Sequence, residues 1–270
     1  MFRSIFAALA VLLAMTPILG QTCVPAPYGI ISWYPGEGNA QDVIGNHNGV
    51  IQGSVSFGPG IVHQAFQFPG GQNDGVSLGP NDVPAFNFTA TSSFSIEAWV
   101  RVKTLAVQTG NDGQVIVSLN YSCTQLTPAC EVLAIQAGTG KAFFQIRDAN
   151  PSINQVYVFS QGPVPTGAWI HLVGVRDASC SPKTVQLYMN GVQVASAIDT
   201  TTMSLSNVGP KLDNIGRRFP CNSTNPFQGA IDEVTIYNRA LTACEILALY
   251  NAGCAGKCSL GTCLAPACGC

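Results

Sequence analysis

Phe94-Ser95-Ile96-Glu97-Ala98-Trp99-Val100-Arg101-Val102-Lys103 is the stretch on which the fold turns. Successive side chains of an extended chain point to opposite faces. Alternation therefore sends Phe94, Ile96, Ala98, Val100 and Val102 to one face, and Ser95, Glu97, Trp99, Arg101 and Lys103 to the other. A wholly apolar face with a period of two is a strand packed on a core. Similar runs follow at Gln114 to Leu119, Glu131 to Gln136, Lys141 to Arg147, Gln155 to Phe159, Trp169 to Val175, Thr184 to Met189 and Val192 to Ala197. Asn190-Gly191 separates the last two, and this dipeptide suits a tight hairpin because both residues tolerate positive φ. Many short strands, each with one apolar face, predict an all-β chain of two antiparallel sheets packed face to face. The absence of helical segments between them excludes a parallel α/β fold. One helix is predicted at 242–251, where Thr242 and Glu245 form a capping box and Gly253 stops the turn. Its apolar stripe is Ile246, Leu247 and Tyr250, and it is expected to lie across one end of the sandwich.

Composition narrows the partners. Of 270 residues only 10% are charged and the formal net charge is -2, so no field steers nucleic acid or an anionic membrane to the chain. A hydrophobic content of 47% with 28 Gly and 17 Pro excludes disorder and indicates a turn-rich globule. Residues 1–20 read as a signal peptide, with Arg3 before an apolar stretch from Ile5 to Met15, then Pro17 and Gly20. Cleavage after Gly20 leaves no span in the mature chain, which is expected to be secreted and extracellular. In an oxidising compartment the 11 cysteines become disulfide candidates. Cys123 and Cys130 flank a turn-rich hexamer and suit a loop staple. Cys254, Cys258, Cys263, Cys268 and Cys270 sit among Gly, Ala and Pro, too few apolar residues for a core. No pair of them shows the two-residue gap of common zinc sites. The odd cysteine total leaves one thiol free or paired with another chain, which makes a disulfide-linked oligomer an expectation.

Ordered blocks carry a family likeness. They are Gly29-Ile-Ile-Ser-Trp33 through Asp42 and Gly45-Asn46-His47-Asn48-Gly49; Phe94 to Val100; Trp169-Ile-His-Leu-Val173; Leu187-Tyr-Met-Asn-Gly-Val192; and Gly229-Ala-Ile-Asp232-Glu-Val-Thr-Ile-Tyr237 through Leu241. Together with Glu245 to Gly253 they resemble the laminin G-like, concanavalin A-like lectin/glucanase jelly rolls of secreted bacterial proteins. The resemblance implies a jelly-roll domain over 21–258, with a Cys-rich tail at 259–270. It also implies a Cys23–Cys258 bridge between the first and last elements, with Cys254 as the alternative partner. Closing so long a loop stabilises by about 4 to 5 kcal/mol in entropy models. In similar jelly rolls a calcium ion lies where the loop from Asp42 to Gly49 meets the strand with Asp232, so Asp42, Asn46, Asn48 and Asp232 are its expected ligands. The alternative for the loop is side-chain turns made by the same residues.

Hydrolysis in this fold needs two carboxylates projecting into one cleft, on a Glu-x-Asp-x-(x)-Glu strand. That pattern is missing: Asp232 and Glu233 are adjacent and should face opposite ways, and Glu97 stands alone. His47, His63 and His171 sit in unrelated contexts, and no Gly-x-Ser-x-Gly elbow occurs. Sugar binding needs aromatic faces and planar polar groups. Trp99 with Glu97 and Arg101 is one candidate and Tyr188 with Asn190 another, rimmed by loops at 110–122 and 148–156; Trp33 and Trp169 read as packing residues. Arg217-Arg218-Phe219 reads as a solvated turn. The expected function is a non-catalytic recognition module that binds a glycan or glycosylated surface at an end-loop or concave-face site, with calcium shaping the loops. A structural or adhesive protein crosslinked through its tail competes with it, and a glycoside hydrolase is the third reading.

Overall fold

The computed structural model describes residues 23–258, apart from 80–82, 108–112, 123–128, 150, 151, 153, 207–210 and 218–225. Its strands are β1 (Ile30–Tyr34), β2 (Gly49–Gln52), β3 (Ser56–Pro59), β4 (Gln64–Phe68), β5 (Gly75–Leu78), β6 (Phe94–Val102), β7 (Gly113–Tyr121), β8 (Cys130–Gln136), β9 (Lys141–Arg147), β10 (Gln155–Pro163), β11 (Trp169–Asp177), β12 (Thr184–Met189), β13 (Val192–Ile198), β14 (Leu212–Ile215) and β15 (Gly229–Tyr237). The first sheet runs β13-β12-β11-β6-β15-β4-β3, with β1 also on β15; the second runs β10-β9-β8-β7-β14-β5-β2. Every pairing of these strands is antiparallel. The jelly-roll sandwich expected from the period-of-two runs is present.

Burial follows the alternation on the inner faces. Phe94, Ile96, Ala98, Val100 and Val102 of β6 are all fully buried and meet Leu133 and Ile135 of β8 and Phe144 and Ile146 of β9 in one core between the sheets. At Asn190-Gly191 both residues take positive φ, 51° and 79°, as a two-residue hairpin between β12 and β13 requires.

The outer faces differ from the sequence expectation. Ser95, Glu97 and Trp99, the side of β6 expected to face solvent, are buried to 0%, 1% and 6% exposure. Their cover is helix α1 (Ala243–Ala252), which begins at Thr242 with the capping box to Glu245. The helix lies over the first sheet and not across an end of the sandwich: Ile246 and Leu249 pack with Val173, Val175, Tyr188 and Tyr237. Leu247, one of the three predicted stripe residues, is instead exposed, and Leu249 takes its place in the packing. After α1 the chain returns beside its own start. Val24 and Lys257 form a parallel bridge, and Cys23 is bonded to Cys258. Cys130 is buried on β8; Cys123, the partner expected for it, and the tail lie outside the described residues.

Candidate functional site

The sandwich has two outer faces, one per sheet. On the first sheet, sequence reasoning placed Trp99, Glu97, Arg101, Tyr188 and Asn190 in a sugar site, and the structure closes that site. Trp99 packs its ring 4.9 Å from His171 and stacks at 5.8 Å on Tyr250 of α1. Tyr188 is 5% exposed beneath the same helix, its hydroxyl donating to Gln186 and Gln193. Asn190 accepts the His171 N–H through Oδ1 as part of the turn. Arg101 stays partly exposed, its guanidinium 5.0 Å over Trp169. These are packing roles: helix α1 needs an apolar surface, and Trp99 supplies it.

Beneath the cover lies an ion cluster that the sequence reading missed. Lys257 Nζ sits 3.3 Å from Glu97 Oε1 and 2.9 Å from Glu233 Oε2. Tyr237 donates its hydroxyl to Glu97 Oε2 at 2.6 Å, and Trp33 Nε1 donates to Glu233 Oε2 at 3.1 Å. Glu233 reaches Glu97, contrary to the expectation that it faces away from Asp232's side, because β15 carries a bulge there. The register shifts between Asp232 and Thr235, and Glu233 takes φ 57°. Burial pushes Glu97 up, but the Lys257 ammonium, with His171 and Tyr237, outweighs it and holds the carboxyl at about 2. Burial prevails at Glu233, which is raised despite Lys257. Two carboxylates therefore converge, yet one lysine bridges them in a sealed interior. Side-chain exposures of 1–3% leave no room for a substrate between them.

The residues expected to hold calcium are committed elsewhere. Asp42 Oδ1 accepts the N–H groups of Trp33 and Ile44, and its Oδ2 accepts that of His47. Asn48 Oδ1 accepts the Asp42 N–H, so this loop closes through side-chain turns. Asn46 takes φ 60° at an exposed position of that turn. Asp232 bonds a different loop, its Oδ2 accepting from Ile61 and Val62, while its Oδ1 has no partner. Burial, then the charge of Glu233, lifts Asp232 to about 8. Backbone N–H groups occupy the Asp42 carboxylate and Asp232 turns its Oδ2 to another loop, an arrangement that does not fit a hard cation needing several free oxygens. Arg217, expected in a solvated turn, is 7% exposed and donates to Asn73 O; Arg218 and Phe219 lie outside the described residues.

On the second sheet most outward side chains of β8 and β9 are buried too, Phe143 and Gln145 each to 1%, and the face opens at the β10 edge. The sheet's outward positions on β9 are Lys141, Phe143, Gln145 and Arg147, and on β10 Gln155, Tyr157 and Phe159. Phe143 lies 6.0 Å from Tyr157 and 5.6 Å from Phe159, and the last two stack at 5.7 Å with 12° between planes. With Gln136 of β8 they line a hollow of about 120 Å³. Tyr157 and Phe159 are half-buried, so their rings form its wall. Gln145 Nε2 and the Tyr157 hydroxyl both donate to Gln155 Oε1, setting planar amides beside the rings. A cross-strand row continues from Tyr157 through Gln145, Val132 and Ser118 to Asn214. The Ser118 hydroxyl and both polar atoms of the Asn214 amide are buried without hydrogen-bond partners.

This sandwich matches a family model. The model described as the concanavalin A-like lectin/glucanases superfamily aligns over residues 70–247. The chain belongs to that superfamily. No curated protein sequence matches it. Among solved structures, domain 4 of the arabinanase AbnA from Geobacillus stearothermophilus, in complex with arabinotriose, superposes with a TM-score of 0.59 at 19% identity, over 81% of this chain and 96% of that one. The Ruminococcus gnavus IT-sialidase CBM40 bound to α2,3-sialyllactose gives 0.53 at 14% identity, over 69% and 96%. The binding domain of Paraclostridial Mosquitocidal Protein 1 gives 0.61 at 18%, over 83% of this chain and 52% of that one, so this chain spans about half its length. At such identities the likeness concerns the fold, and the superfamily hosts many functions on it.

Proposed function

We propose that this superfamily member is an exported, non-catalytic carbohydrate-binding module whose site is the aromatic hollow on the outer face of the second sheet. The observation that carries the reading is the half-buried pair Tyr157 and Phe159, stacked at 5.7 Å over the buried Phe143, with the amides of Gln136 and Gln155 at its rim. Apolar ring faces take the C–H faces of pyranoses, while planar amides bond hydroxyls, the combination that small polar ligands require. Two similar folds have been solved with arabinotriose and with sialyllactose bound, which supports a saccharide as ligand. A non-catalytic role is supported by the sealed, lysine-bridged state of the converging Glu97 and Glu233. Export is supported by the Cys23–Cys258 bond, which persists in oxidising compartments, and among the described residues no helix is long and apolar enough to cross a membrane.

Calorimetric titration against a panel of oligosaccharides tests the proposal. At least one class should bind, and Tyr157→Ala or Phe159→Ala should weaken it about tenfold or more, as loss of a central aromatic anchor does. Unchanged thermal melts would show the variants folded. A panel that yields no binding, or variants that bind like the parent, would overturn the assignment.

A further inference from the structure

We infer that residues 259–270, which lie outside the described residues, dock along the outward face of α1 and are stapled there by two disulfides, Cys254–Cys263 and Cys244–Cys268. Only Glu245 and Asn251 of the ten residues in α1 are strongly polar, and a helix apolar on two sides is ordinarily covered on both. Ile246 and Leu249 take the side that packs on the first sheet. Across the helix, Cys244, Leu247, Ala248 and Asn251 recur at i, i+3, i+4 and i+7, the spacing that lines up side chains on one face. That face looks away from the sheet: its four residues are exposed or half-exposed, Leu247 to 45%. Cys254 follows three residues on, exposed in the turn Gly253–Ala255. Val192, 62% exposed, widens the apolar surface, since Gly191 before it sits against Leu247 and Tyr250.

The occupant is the chain's own continuation, because its start is pinned. Cys258 is bonded to Cys23, four residues beyond Cys254 and so within about 13 Å of it. Five further residues span about 17 Å when extended, so Cys263 reaches back to Cys254. Cys244 and Cys254 stand ten residues apart, about 15 Å along a helix. Cys263 and Cys268 stand five apart, about 17 Å along an extended chain. Run antiparallel to α1, the second pair matches the first to about 2 Å, within the range of about 4.4 to 6.8 Å that disulfide Cα atoms allow. Between the two bridges Leu264, Ala265, Pro266 and Ala267 cross Leu247 and Ala248. The alanines permit close approach, Leu264 supplies apolar contact, and Pro266 favours an extended backbone. No charged side chain occurs in 259–270, so none must be desolvated on the apolar face. Each bridge forms as two thiols lose two protons and two electrons to a disulfide oxidant of the exporting compartment, which is reduced to a dithiol.

Peptide mapping of the unreduced full chain tests this, after N-ethylmaleimide has blocked any remaining thiols. Glu-C, trypsin and chymotrypsin cut after Glu245, Lys257, Leu260 and Leu264, which puts Cys244, Cys254, Cys258, Cys263 and Cys268 on separate peptides. Mass spectrometry should find Cys254 joined to Cys263 and Cys244 joined to Cys268. Chains grown with and without a heavy nitrogen label and oxidised together should give no mixed-label pair. Maleimide on Cys244 or Cys254, any other partner for either, or mixed-label pairs that reveal crosslinking between chains, would overturn the assignment. Leu247→Gln reads the contact separately from the bridges. It should lower Tm by about 4 °C or more in the parent, as loss of a covered leucine does, and by less than half of that in a Cys263→Ser/Cys268→Ser chain. Equal shifts in the two chains would refute the docking.

Discussion

Replacing Lys257 by methionine removes the ammonium from between Glu97 and Glu233 while keeping most of the side chain's volume. The lysine spans 3.3 Å to one carboxylate and 2.9 Å to the other, and all three side chains are 1–3% exposed, so water cannot replace it. Breaking a buried ion pair by deleting one partner costs about 3–5 kcal/mol. For a domain of this size that lowers Tm by about 10 °C. The loss should depend on pH. In the native protein Glu97 is held at about 2 against an ordinary 4.5. A carboxyl depressed in this way contributes stability that is present above 4.5 and lost as pH falls toward 2. Without Lys257 burial dominates, the folded carboxyl rises, and the variant weakens as pH climbs through the carboxylate range. The gap between parent and variant should therefore be wide at about pH 7 and narrow at about pH 3. Urea unfolding followed by tryptophan fluorescence at both pH values measures it. Adding Glu97→Gln and Glu233→Gln to the variant should recover most of the stability at neutral pH. A gap under about 1 kcal/mol at neutral pH, or one of equal size at both, would refute the cluster as a stabilising ion pair.

Asp232→Asn should become more stabilising with rising pH: a carboxyl raised from 3.8 to about 8 contributes fully below 3.8 and loses that contribution as pH climbs through 8. Thermal melts should show the difference growing by about 1 kcal/mol per pH unit from about pH 5 to pH 8 and levelling above it. Gly174→Ala would set a methyl 2.4 Å from Phe144 Cδ2 across the two sheets. Such overpacking costs about 1–3 kcal/mol, read as a lower denaturation midpoint. Arg176→Met should cost about 3–5 kcal/mol on the same assay. The fully buried guanidinium holds Asp199 at 2.7 Å and donates to the carbonyls of Thr89, Ala90 and Ser92.

Strand content and the inner face were legible because a core imposes one rule on every residue that enters it. Phe94 through Val102 alternate without exception, and the Thr242–Glu245 pair announces its helix. The outer faces obey no such rule. A tryptophan opposite a core-facing alanine reads the same whether solvent or a helix covers it, and Trp99 is covered. Glu233 escaped notice because alternation forbids it to join Asp232's side, and only the bulge at φ 57° permits the meeting with Glu97. Phe143, Tyr157 and Phe159 left a usable signal: they occupy the parity opposite to Phe144, Val156 and Val158, so those strands are apolar on both sides. A doubly apolar strand at a sheet edge asks for a cover or a ligand.

The covalent joining of Cys23 to Cys258 fixes more than stability. Both cysteines sit with Val24 and Lys257 on the first sheet's side of the molecule, while the aromatic hollow opens from the second. A tether or fusion partner attached at either terminus of the domain therefore leaves from the back, so that the protein, immobilised by its ends, displays its recognition surface outward like the palm of a hand held by the wrist.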